Sequence, residues 1–153
     1  MTEAAKDLKL FALDAEDLGV LSAHLQDAVV RVGDMAFLPR ERRFVALVNR
    51  FHWPAALASS SPAYQRRRAA LRFERVSAVQ VHGIDLKAKR QVLSLLAMQF
   101  APHGPEDPAG VVTLVFAGDA AIRIEMECIE AVLEDLGAAW AAGRKPEHGI
   151  SEG

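Results

Sequence analysis

Residues 43–53, RFVALVNRFHW, alternate in polarity and size, and this stretch constrains the fold more than any other part of the chain. Val45, Leu47, Phe51 and Trp53 fall on one parity, with Asn49 its only polar member. Phe44, Ala46, Val48, Arg50 and His52 fall on the other. A period of two over this length, rich in β-branched and aromatic residues, predicts a strand. The odd-numbered face carries the larger side chains and is the expected core face. The even-numbered face begins apolar and ends in Arg50 and His52, so that end is expected to emerge into water. A short apolar run, 35–38, precedes it, separated by Pro39, Arg40, Glu41 and Arg42. Proline presets φ for a turn and cannot donate to a ladder, so 35–53 reads as a β-hairpin. Two strands alone are marginal in water, and this pair needs the rest of the chain to pack on.

Taken in order, residues 8–13 (LKLFAL) predict a short strand. Asp14 is an N-cap with Asp17 three residues on, and Leu18, Leu21 and Leu25 follow at helical spacing, giving a helix over 15–26. Residues 28–32 are β-branched, and Gly33 and Asp34 mark a turn or bulge. After Trp53 a serine- and proline-bearing stretch through residue 68 reads as a mobile loop. Residues 71–84 are β-like with a broken phase, as at a bulge or where a strand passes between packing faces. The apolar run 92–101 predicts a central strand, with a helix the alternative because periodicity does not separate the two in a short apolar run; 111–116 predicts another strand, and Gly118 with Asp119 a tight turn. Ile122, Ile124 and Met126 alternate with Arg123, Glu125 and Glu127, a half-exposed strand. From Cys128 the period lengthens. Ile129, Val132, Leu133, Leu136 and Trp140 form one stripe, which predicts a C-terminal helix to about residue 142. Residues 1–7 and 143–153 are expected to fray.

This order predicts one domain over 1–153 of the α+β class. Its mostly antiparallel sheet is expected to be strongly bent or a half-open barrel, with an N-terminal helix and a C-terminal helix. A pleckstrin-homology-like barrel matches the sequence of elements, by analogy alone.

Charge is segregated along the chain. Between Arg31 and Arg90 lie thirteen basic residues against four acidic ones, whereas the remainder holds five basic against sixteen acidic. Such a division marks either a site for an anionic partner or a basic sheet neutralised by acidic flanks within the fold. The candidate anionic site is Arg50, His52, Arg66, Arg67, Arg68 and Arg72, since guanidinium groups bind phosphates bidentately. No catalytic constellation, metal set or cofactor motif is expected. The five histidines are far apart, Cys128 reads as a small buried hydrophobe, and Glu125 and Glu127 as a solvated face. With one cysteine the chain makes no internal disulfide, which fits a reducing compartment. No apolar run approaches the roughly 18 residues that span a bilayer, and the expectation is a cytoplasmic protein with no membrane partner.

The run at 34–44, D-M-A-F-L-P-x-E-x-R-F, continuing into Asn49, Arg50 and Phe51, resembles a family of short bacterial proteins of unknown function. They are found in alphaproteobacteria, with genes often near histidinol dehydrogenase, and the likeness extends from residue 8 to about 140. It implies no activity, cofactor or catalytic residue. The functions in view are therefore a non-catalytic module that binds a protein partner or itself, a binder of an anionic ligand or nucleic acid, and an enzyme of unrecognised type.

Overall fold

The computed structural model describes residues 8–51 and 66–137. It contains β1 (Lys9–Ala12), α1 (Ala15–His24), β2 (Val29–Leu38), β3 (Arg43–Phe51), β4 (Arg66–Phe73), β5 (Val76–His82), β6 (Val92–Pro102), β7 (Gly110–Phe116), β8 (Ala120–Met126) and β9 (Ala131–Asp135). The strands form one open sheet in the order β1-β9-β4-β3-β2-β6-β7-β8-β5. Every pairing is antiparallel.

Local chemistry explains much of this. The Asp14 carboxylate accepts from the Asp17 N–H at 2.8 Å, and the Asp17 carboxylate accepts from the Leu13 N–H at 3.0 Å. Two donors at the start of α1 are thereby satisfied before the apolar stripe of Leu18, Leu21 and Leu25 is buried. The β2 ladder slips between Val30 and Met35, where Gly33 was read as a bulge. A Cβ at Gly33 would lie 3.1 Å from the Lys89 carbonyl oxygen, so the glycine permits a close backbone approach. The phase break in 71–84 is a chain reversal. Arg75 takes φ 60, ending β4 in mid-sheet and sending β5 to the far edge.

One face of the sheet is inward. Phe44, Ala46 and Val48 of β3, Ala69, Leu71 and Phe73 of β4, and Ile122, Ile124 and Met126 of β8 are all buried in a single core. That cluster joins both halves of the sheet, so the sheet curves around it, and α1 adds Leu18 and Leu21.

Three expectations are corrected here. First, the inward face of β3 is the even-numbered one: Phe44, Ala46, Val48 and Arg50 are buried, while Val45, Leu47, Asn49 and Phe51 are only half-buried. A period of two says that one parity faces in, and the partner strand decides which. Here Phe44 lies opposite Phe73 with ring centroids 6.4 Å apart. Second, there is no helix after Cys128 among the described residues. Ala131–Asp135 is strand β9, inserted between β1 and β4. A short apolar run fits either period. The slot between two unpaired ladder edges settles the choice, because only a strand supplies both edges with partners. Residues 138–142 of the expected helix lie outside the described residues. Third, the α+β class with two helices, and the barrel covered by a C-terminal helix, give way to a mostly antiparallel β architecture with one short helix among the described residues.

Candidate functional site

Arg50 and Asp135 meet at one end of the core. Arg50 is 2% exposed. Its Nε donates to Asp135 Oδ1 at 2.9 Å and its Nη2 to Oδ2 at 2.8 Å. Its Nη1 donates to the Phe51 carbonyl at 3.1 Å. The Leu8 N–H reaches Asp135 Oδ2 at 2.9 Å, and Arg67, opposite Arg50 in register, places Nη1 at 4.0 Å from the same oxygen. Burial alone would raise the Asp135 pKa. The Arg50 and Leu8 hydrogen bonds, with the charges of Arg50 and Arg67, outweigh it and hold the carboxyl below its usual range. His24, in the last turn of α1, has its pKa lowered by burial and by the Arg50 charge, with Asp135 opposing.

The three consecutive arginines do not act together. Strand alternation sends Arg67 inward and Arg66 and Arg68 to the opposite face. Arg66 lies over the Phe51 ring, 4.2 Å from its centroid, with Nη1 at 3.4 Å from the Asn49 carbonyl. Arg68 stands 3.6 Å from Asp34. Arg72, four residues along β4 and so roughly 13 Å away, donates from Nε to Glu74 at 2.8 Å. Arg43 shares that carboxylate at 2.9 Å. His52 lies outside the described residues. The structure therefore brings Arg50 and Arg67 together on the inner face, Arg66 and Arg68 on the outer, and leaves Arg72 apart.

Carboxylates take up most of the basic middle: Arg42 pairs with Glu127 and Arg75 with Glu130 as well. Arg31, Lys87, Lys89 and Arg90 differ. All four are exposed, and no carboxylate lies within ion-pair distance of them among the described residues. Cys128 is half-buried and free.

The edge of the sheet at β1 is the other feature of note. The Asp135 N–H donates to the Leu8 carbonyl at 2.8 Å. By antiparallel alternation Leu8, Leu10 and Ala12 bond β9, and the backbone groups of Lys9 and Phe11 point to the open edge. Phe11 is 58% and Leu13 67% exposed. The one charge on that edge, Lys9, is drawn back toward Glu134 at 3.9 Å and over the Phe11 ring at 5.7 Å.

Sequence reasoning missed Asp135 and His24. Asp135 shares parity with Ala131 and Leu133, a signal visible once 131–135 is read with a period of two. His24 carried none, because its neighbours come from β3 and β9.

What fold and site define is an antiparallel β protein whose cationic middle is largely fastened to its own carboxylates. Over residues 8–148 the chain matches the model of a family described as proteins of unknown function, DUF2948, and it belongs to that family. No curated protein and no solved structure matches it. No helix among the described residues is long and apolar enough to cross a membrane.

Proposed function

We propose that this is a non-catalytic interaction module of a bacterial, cytoplasmic protein, and that it takes another protein chain at the outer edge of β1, which pairs with no strand among the described residues. The carrying observation is that edge: Lys9 and Phe11 turn their backbone donors and acceptors outward, and the side chains of Phe11 and Leu13 are exposed beside them. An unpaired strand edge is a template for a further strand. The lone free cysteine fits a reducing compartment, and the run at 34–44 supports an alphaproteobacterial origin. An anionic-ligand or nucleic-acid site on Arg50, His52, Arg66, Arg67, Arg68 and Arg72 has less support, because Arg50, Arg68 and Arg72 already face carboxylates.

Self-association is the first case to test, by light scattering over a wide concentration range. The expected result is a concentration-dependent dimer that Phe11→Pro abolishes, since proline removes a donor aimed at the open edge and none bonded to β9. A chain that stays monomeric throughout, with Phe11→Pro changing no association measurement, would sink self-association through β1.

A further inference from the structure

Arg31, Lys87, Lys89 and Arg90, which have no carboxylate partner among the described residues, come from two separate parts of the sequence, yet the fold gathers them. Val32 donates its N–H to the Gln91 carbonyl at 2.9 Å, and Gly33 donates to the Lys89 carbonyl at 2.9 Å. Arg31 lies opposite Val92 in the β2–β6 register. The C-terminal part of the connection 83–91 is therefore held against β2, which brings Lys89 and Arg90 to the Arg31 end of that strand, with Lys87 in the turn bonded to Lys89. The connection is also locked within itself. Ala88 donates to the Asp85 carbonyl at 3.0 Å, Lys89 to that of Lys87 at 2.9 Å, and Gln91 to that of Ala88 at 3.0 Å. Of the nearby acids, the Asp85 carboxylate accepts from the Lys87 N–H at 3.0 Å and Asp34 faces Arg68, while Asp119, whose carbonyl lies against Gly83 where the connection begins, has no ion-pair partner among the described residues. Among these cations sit two exposed apolar side chains, Leu86 at 53% and Val92 at 55%.

We propose that this patch docks the protein on an anionic membrane surface. The four cations meet headgroup phosphates and carboxylates, while Leu86 and Val92 enter the headgroup boundary. Charge complementarity calls for an anionic partner. The apolar residues select the lipid surface, because leucine and valine gain nothing from a phosphate backbone, and the patch has no aromatic ring for a base to stack on. This peripheral contact goes beyond the β1 reading and does not depend on it. It departs from the sequence expectation of no membrane partner.

The test is cosedimentation of the full chain with phosphatidylcholine vesicles, with and without phosphatidylserine, at several salt concentrations. Binding is expected only with phosphatidylserine and is expected to fall as salt rises. Each cation removed lowers the partition coefficient about fivefold, from about 1 kcal/mol per Lys or Arg near such a surface. Lys87→Glu with Lys89→Glu abolishes binding. Leu86→Ser weakens it without changing its salt dependence, and Arg42→Ala leaves it unchanged. Thermal melts confirm that the variants fold. The proposal is overturned if no binding occurs at low salt, or if the double charge reversal has no effect. It is equally overturned if a DNA duplex, and not the vesicle, binds and responds to the same variants, which would assign the patch to nucleic acid.

Discussion

The two ends of the β3–β4 ladder hold arginines in opposite ways. At one end Arg50 and Asp135 are buried, and the carboxylate meets three donors at 2.8–2.9 Å. At the other, Arg43 and Arg72 share Glu74 in a half-exposed cluster, and Arg42 and Arg75 reach Glu127 and Glu130 across open surface. The chemistry is the same and the solvent differs. An exposed pair is worth up to about 1 kcal/mol because water and salt screen it. A buried pair is different: removing one partner strands a charge in the core. The lesson is that the exposed cluster balances charge, whereas the buried pair ties β9, the last of the described strands, to β3 and to the start of β1.

Breaking the buried pair is therefore the largest test. Asp135→Ala leaves the Arg50 guanidinium inside without a counter-charge, and urea unfolding is expected to show a loss of about 3–5 kcal/mol. If the loss is no larger than that of a surface substitution, the contrast between the two ends collapses.

Acid titration probes the buried end next. His24 has a folded pKa below its ordinary value, so the folded state binds fewer protons than the unfolded chain. Its contribution is complete above the usual histidine range and is lost as pH falls through that range toward the folded value. Asp135, also lowered, contributes above the ordinary carboxylate range and loses that contribution as pH falls through its folded value. Stability measured against pH is expected to decline in two stages. His24→Gln removes the upper one, and Asp135→Asn removes the lower one. A profile unchanged by His24→Gln would show that the histidine does not sense the pair.

Replacing both partners sharpens the comparison further. Arg50→Met combined with Asp135→Leu fills the same space without charge and is expected to stay within about 1 kcal/mol of the natural chain or exceed it, since buried pairs often break even against apolar residues. A double variant as unstable as Asp135→Ala would mean that the pair contributes net attraction. The smallest effect belongs to the other end, where Arg42→Ala is expected to cost at most about 1 kcal/mol, less at high salt.

Much of the fold could be read from the residues. Asp14 and Asp17 announced α1, Gly33 the bulge in β2, and Gly118 with Asp119 the β7–β8 turn, because each is a requirement the chain meets within a few residues. The errors were linked. Reading β3 with its odd face inward put Arg50 in water, and reading 129–142 as a helix left Asp135 on a polar side. Each misreading hid the partner that would have corrected the other. The patch of Arg31, Lys87, Lys89 and Arg90 was visible as charge and invisible as a place, because roughly fifty residues separate its two parts along the chain.

By itself the sequence determined the cap and stripe of α1, the alternation of β2, β3 and β8, and that positive charge is concentrated in mid-chain. Those follow from short-range sterics, capping and side-chain period. Only the tertiary structure decided which parity of each strand faces inward, that residues 131–135 extend between β1 and β4, and which cations find carboxylates. These are choices between locally equivalent states, and the energy that separates them comes from groups distant in the chain that meet only when the sheet is assembled.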